Sequence, residues 1–341
     1  MNIAIFAYSR RGCDIAGQVR STIVGPEDRC RAYTMEKYCR EGFTAIKPPC
    51  SWFTGPVFQW ADAMVFVGAC GIAVRSIVPH VKDKRTDPAV LVVDERGQFV
   101  ISLLSGHIGR ANALAVRLAS ALGAVPVVTT ATDVNGRFSV DAWAAENGLY
   151  IDGMAAAKAV SAAILEGPVP LASDFPIAGD LPPGVVPGES GPVGVCISWQ
   201  KRKPFGQTVL LAPAVLHLGI GCRKDVSAEA IAELVDRVLA ENGIHPEAVE
   251  SAASIDLKRE EPGLLAFCAA RDWLIEFYSA QEFAAVEGDF TPSDFVKNVT
   301  GVDNVCERAA LKNAEQILIR KTARDGVTVA LAVKKWEVRF G

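Results

Sequence analysis

Residues 89–122, "AVLVVDERGQFVISLLSGHIGRANALAVRLASAL", hold two apolar runs that flank Glu95, Arg96 and Gly97, and then a helical pattern of small and apolar residues. Two strand-like runs joined by so short a polar break read as a hairpin. The hairpin predicts a mixed rather than wholly parallel sheet. Working outward, "IAIFA" (3–7), "AMVFVGA" (63–69) and "AVPVVTT" (124–130) alternate with helical stretches, which predicts a three-layer α/β domain over 1–135. The segment 136–212 reads as an irregular middle or linker region, with an alanine-rich helix at 153–166 and a proline and glycine-rich stretch, "DLPPGVVPGESGP", at 180–192. From 213 to 341 a compact carboxyl-terminal α/β domain is expected. It opens with "VLHLGIGCRKDVSAEAIAELVDRVLAENG" (215–243), a strand, a glycine turn and a helix capped by Ser227.

The 341 residues are half hydrophobic and 22% charged, which excludes a disordered chain. A net charge of −4 gives no global attraction to nucleic acid or to an anionic membrane, so neither is expected as a partner. The apolar run at the amino terminus is too short for a signal peptide or a spanning helix, and a cytoplasmic enzyme is the default expectation. Nine cysteines, none in a CxxC pair, and four histidines offer no zinc or iron–sulfur pattern. The expectation is free thiols and no metal site.

Chemistry is expected at glycine-rich turns, where helix N-termini present free N–H groups. One is "YSRRG" (8–12). A second surrounds Gly68 and Gly71 and continues to Arg75 and the charged loop Lys82 to Asp87; either could equally be a packing turn or a solvated surface. The third holds Ser105, Gly106, His107 and Gly109 at the start of a helix, where the positive end of the dipole would favour a neutral imidazole able to accept a proton. Ser105 is a nucleophile by type, but the stretch lacks the G-x-S-x-G elbow. The fourth, "LGIGCRKD" (218–225), places Gly219 and Gly221 before Arg223 and Lys224, a pattern suited to carboxylates or phosphates, without the spacing of a dinucleotide fingerprint.

At "GACGIAVRSIVPHVKDKRTDPAVLVVDERGQFVISLLSGHIGRANALA" (68–115), "LGIGCRK" (218–224), "NVCERAALKNA" (304–314) and "LIRKTARDGVTVALAV" (318–333), the chain resembles the cobalt-precorrin-5A hydrolase family of anaerobic cobalamin biosynthesis. Arg110 departs from the pattern, standing where a second glycine is expected. The resemblance implies a hydrolase that opens the δ-lactone of a ring-contracted cobalt corrinoid and releases acetaldehyde, giving cobalt-precorrin-5B. It implies no resident cofactor, the cobalt being carried by the substrate, and transient contact with neighbouring pathway enzymes as a further possibility. On this reading His107 is the first candidate for the base, with Ser105 orienting water or the oxyanion. Lys84, Arg85 and Asp87 follow as acid or positioning groups. Gly68, Gly71, Gly106, Gly109, Gly219 and Gly221 are expected to line the substrate, and Arg75, Arg223, Lys224 and Lys321 to pair with its carboxylates. Glu307 would orient one of those cations or stabilise a helix start. Two other readings remain. The carboxyl-terminal domain also resembles a stand-alone tetrapyrrole-binding protein of the aerobic pathway, which implies a non-catalytic carrier. A nucleotide-dependent α/β enzyme is disfavoured by the missing P-loop.

Overall fold

In the computed structural model, which describes residues 1–47, 49–83 and 86–340, the first strand β1 (Asn2–Ala7) is covered on both faces. Ile3, Ile5 and Ala7 enter one apolar cluster and Ala4 and Phe6 another, since successive strand side chains point to opposite sides. A strand buried twice shows no polar alternation, which is why its sequence is an unbroken apolar run.

The chain continues through α1 (Arg10–Ile23), β2 (Arg29–Met35), β3 (Phe43–Ile46), α2 (Cys50–Trp60), β4 (Ala63–Val67), α3 (Cys70–Ile77), β5 (Ala89–Val93), β6 (Phe99–Leu104), α4 (Ala111–Leu122), β7 (Val125–Val127), α5 (Ala131–Val134) and α6 (Val140–Glu146). The seven strands form one sheet in the order β3-β2-β1-β4-β5-β6-β7. Helices α1 and α4 cover one face, α2 and α3 the other. β3 through β5 are parallel, and β6 runs back antiparallel to β5, with Val93 opposite Val100 and Val90 opposite Leu104. The sheet is therefore mixed, as the hairpin requires. Asp94 makes the reversal: its Oδ1 accepts the N–H groups of Gln98 and Phe99, each at 2.7 Å, and its Oδ2 that of Arg96 at 2.9 Å. Desolvation pulls this carboxyl's pKa upward, but the N–H bonds prevail and hold it below the ordinary value.

Two compact units divide the chain, Met1–Ala145 and Glu146–Gly341. The first extends beyond the expected boundary at 135 because two residues of the loop before α4 hold the segment that follows: His107 pairs with Asp141, and the Arg110 guanidinium donates to the Ala145 carbonyl at 2.6 Å.

The region expected to be irregular carries a sheet of its own. It contains β8 (Tyr150–Asp152), α7 (Met154–Glu166), β9 (Val169–Ser173), β10 (Ile177–Ala178), β11 (Val185–Pro187), β12 (Val193–Ile197) and β13 (Gln207–Ala212), with sheet order β11-β9-β12-β13-β8. Its strands are short and hold Pro170, Pro187 and Gly194, so they give a weak sequence pattern. Next come β14 (Leu216–Cys222), α8 (Ala228–Glu241), β15 (Val249–Ile255), α9 (Pro262–Ala270), β16 (Leu274–Tyr278), α10 (Ala280–Ala284), α11 (Asp294–Thr300), α12 (Cys306–Leu311), β17 (Gln316–Arg324), β18 (Val327–Val333) and β19 (Val338–Arg339). Their sheet has the order β16-β15-β14-β18-β17. β19 pairs with β10, so the end of the chain is bonded to the middle region. The Ser227 hydroxyl caps α8 as expected, accepting from Ala230 N at 3.2 Å. No helix among the described residues is long and apolar enough to cross a membrane.

α12 lies directly on β14. A Cβ at Gly219 would stand 1.8 Å from the Cys306 carbonyl oxygen and 2.5 Å from Ala310 N, so only glycine admits the helix. Gly219→Ala should destabilise the chain by about 1–3 kcal/mol through this overlap. Gly17→Ala, at an α1 position with no atom within 4 Å of the new Cβ, should instead stabilise by up to about 1 kcal/mol. Urea midpoints of the two variants should move in opposite directions, and equal shifts would contradict the packing argument.

Candidate functional site

In the first unit the expected site residues fall on opposite edges of the sheet. Gly68 and Gly71 follow β4 at the edge where the parallel strands end. Because β6 is reversed, Ser105 to Gly109 emerge at the other edge, beside the residues that precede β5. The two sets therefore do not form one mouth.

At the strand-end edge beside β1, protein groups bond one another. Ser9 caps α1, accepting from Gly12 N at 3.0 Å, and its hydroxyl donates to Glu95. Gly68 N donates to the Val93 carbonyl at 2.8 Å, and Arg75 reaches back to the Gly71 carbonyl at 3.3 Å.

The other edge is a bonded polar cluster. Ser105, at φ 59°, donates its hydroxyl to the Asp87 carbonyl at 3.0 Å, and Asp87 Oδ2 accepts Lys82 N at 2.9 Å. Gly109 is required by contact, since a Cβ there would lie 2.4 Å from Ser105 Cβ; one at Gly106 would lie 2.8 Å from Asn112 Oδ1. The N–H groups of Arg110, Ala111 and Asn112 already donate to the carbonyls of His107, Ser105 and Gly106. They are not open donors for an oxyanion. Arg110 takes the left-handed conformation, φ 63°, that the expected glycine would have supplied. Lys84 and Arg85 lie outside the described residues.

His107 sits between two carboxylates, Nε2 3.0 Å from Asp133 and Nδ1 3.1 Å from Asp141, with the Thr132 hydroxyl 3.3 Å from Nε2. The bond to Asp141 is the main cause of a raised pKa, and it outweighs desolvation. The two acids, distant in sequence, act against the neutral form that the helix start was expected to favour. Asp133 also accepts from Thr130 and Asn112; desolvation raises its pKa, yet these bonds and His107 leave it lowered.

In the second unit a cavity of about 980 Å³ opens where β14 and β15 end. Gly221, Cys222, Arg223 and Lys224 leave β14 there, Ile255 and Leu257 come from the end of β15, Val296 and Val299 from α11, and Lys321 from β17. Leu257 and Val299 are 65% and 62% exposed. Arg223, Lys224 and Lys321 have no ion-pair partner within 4 Å among the described residues, whereas Lys258 pairs with Glu261 at 3.0 Å and Arg324 with Glu233 at 3.1 Å. Asp225, Glu260, Glu261 and Asp325 line the cavity as well. Its apolar side chains and the three cations suit a flat apolar body bearing carboxylates. Gly219, expected at the ligand, is buried under α12 instead, and Glu307 is fully buried behind the cavity. Sequence reasoning missed Lys258, Val296 and Val299. "IDLKREEPG" ends β15 as "LGIGCRK" ends β14 and could have drawn attention to Lys258; the α11 segment carries no comparable signal.

A serine–histidine pair elsewhere has no such setting. His217 Nδ1 is 2.8 Å from Ser251 Oγ and Nε2 3.4 Å from Glu250, but neither His217 nor Ser251 lines the cavity, and burial lowers the histidine's pKa. Among the described residues no group of three or more His, Cys, Asp or Glu is placed to hold a metal ion.

The His107 arrangement sets a pH window. Its raised pKa gives stability that is complete below the ordinary 6.5 and is lost as pH rises through the folded value; the lowered Asp133 pKa gives stability present above 3.8 and lost as pH falls through its own. His107→Ala should cost about 2 kcal/mol at pH 6, as for charge-assisted hydrogen bonds, and less at pH 9. Urea unfolding at both values checks this, and a cost independent of pH would show that the imidazole only fills space.

Two family models match the chain, one described as cobalamin synthesis G N-terminal over residues 53–133 and one as cobalamin synthesis G C-terminus over residues 216–332. The first span includes His107, the second all the cavity residues named above. A cobalt-precorrin-5A hydrolase of Salmonella typhimurium is 34% identical over 347 residues, covering 97% of this chain and 97% of that protein. A cobalt-precorrin-5A hydrolase of Priestia megaterium is 31% identical over 301 residues, 81% of this chain and 80% of that protein. Protein CobE of Sinorhizobium sp is 35% identical over 127 residues, 36% of this chain and 81% of that protein.

Proposed function

The chain belongs to the cobalamin synthesis G family and is a hydrolase of cobalamin synthesis, and on that premise we propose that it opens the δ-lactone of cobalt-precorrin-5A and releases acetaldehyde. The observation that carries this reading is the cavity of the second unit, with its apolar wall and the unpaired cations Arg223, Lys224 and Lys321. Its volume, about 980 Å³, lies at the upper end of the usual range for small-molecule sites. A corrinoid presents a broad apolar ring edged with carboxylates, so ring burial and charge pairing act together. The cobalt enters as part of the substrate.

The chemistry needs water at the lactone carbonyl, a proton acceptor, and donors for the oxyanion. Breaking the acyl C–O bond yields a carboxylate and an alkoxide. The alkoxide collapses to acetaldehyde as its C–C bond to the macrocycle breaks, and the electron pair passes into the conjugated ring, which takes up a proton. His107 has a carboxylate against each ring nitrogen, which leaves neither free to accept a proton from water. Its proposed part is to hold the 105–112 loop in shape. A base role would need one of those contacts to open, and then His107→Ala would lower the single-turnover rate per folded molecule by roughly 10²- to 10⁴-fold.

Anaerobic incubation of the full chain with the lactone-bearing intermediate should give loss of a two-carbon unit, captured by an aldehyde trap, without added nucleotide or metal. Corrinoid affinity should fall as salt rises, because partly exposed cations are screened. Recovery of bound but intact substrate would sink the hydrolytic reading and favour a carrier, the alternative that the likeness to Protein CobE keeps open.

A further inference from the structure

Glu307 is fully buried, 0% exposed, yet three hydrogen-bond donors converge on its carboxylate and the Arg320 guanidinium stands 3.7 Å from Oε2. Oε1 accepts the Thr291 hydroxyl at 2.8 Å and the Lys321 N–H at 2.7 Å, and Oε2 accepts the Thr291 N–H at 2.8 Å. Asn304, 1% exposed, completes the hold: its amide nitrogen donates to the Thr291 carbonyl at 2.9 Å, and its oxygen accepts Glu307 N–H at 2.9 Å. Two side chains at the start of α12 thus take every polar group of Thr291. Two residues further on, Ser293 begins the part of the cavity that continues through Val296 and Val299, while Lys321 is the cation from β17. One carboxylate fixes the root of the apolar wall and the backbone of a cation.

A buried ion is costly unless its bonds are satisfied, and here a group that only accepts is needed, because all three partners donate. A neutral amide would set its own N–H₂ against one of them. We propose that Glu307 is a positioning residue for the cavity, setting Lys321 at the spacing from the apolar wall at which a carboxylate on the rim of the bound ring meets its ammonium group. This rests on the cavity being the corrinoid site.

Two probes separate positioning from general support of the fold: cobyrinic acid, a cobalt corrinoid with carboxylates at its rim, and its fully amidated counterpart. Lys321→Met in the full chain should weaken cobyrinic acid by roughly tenfold or more, the range of a charge-assisted bond, and barely affect the amide. Glu307→Gln should show the same selective loss, and the double variant should add little to either single one. Thr291→Val, which removes only the hydroxyl donor, should give a smaller loss of the same kind and carries the test if Glu307→Gln does not fold. Equal weakening of both ligands, or lowered thermal stability with selectivity intact, would overturn the proposal and leave the cavity reading standing. A wild-type chain that binds neither corrinoid would overturn both.

Discussion

Three N–H groups on one carboxylate, Asp94, turn the chain back between β5 and β6, and the arrangement of the first unit follows from that reversal. Had β6 run parallel, the loop after it would have opened beside Gly68 and Gly71, where α/β sheets usually receive their ligands. Instead it opens at the far edge, where His107 meets Asp133 and Asp141. At the strand-end edge Ser9 and Glu95 bond each other. One short turn thus decides which residues of a continuous motif can be neighbours.

Much of this architecture was legible because its signals are local. The doubly buried strands are unbroken apolar runs, the hairpin has its own polar break, and Ser227 stands where a cap belongs. The sheet between Tyr150 and Ala212 was not legible, since strands of three to six residues, two of them carrying prolines, lack a distinguishable period. The pairing of His107 was hidden for another reason: one partner lies 26 residues away in sequence, and nothing local announces it. Gly219 misled because a glycine that lets a helix approach looks the same in sequence as one that admits a ligand.

The second unit shows how an open α/β sheet makes an amphipathic site without a phosphate loop. The strands β14, β15 and β17 deliver cations, α11 supplies apolar groups, and the buried Glu307 of α12 bonds the backbone of Lys321 and of Thr291 ahead of α11. Two thiols, Cys222 and Cys306, also line the cavity. Burial pushes Cys268 and Cys306 up to about 12, which keeps them protonated at ordinary pH.

The passage of α6 across the junction at 145 bears on where the gene can be cut. A fragment ending at 135, where composition changes, would strip His107 of Asp141 and Arg110 of the Ala145 carbonyl, leaving a buried edge open to water. Likewise a fragment beginning at 213 would take β10 away from β19 and Phe175 away from Trp336, whose rings meet edge-on at 4.7 Å. Dissection of this enzyme into parts is therefore best made after residue 146, where α6 ends, in register with its own hydrogen bonds rather than with the punctuation of its sequence.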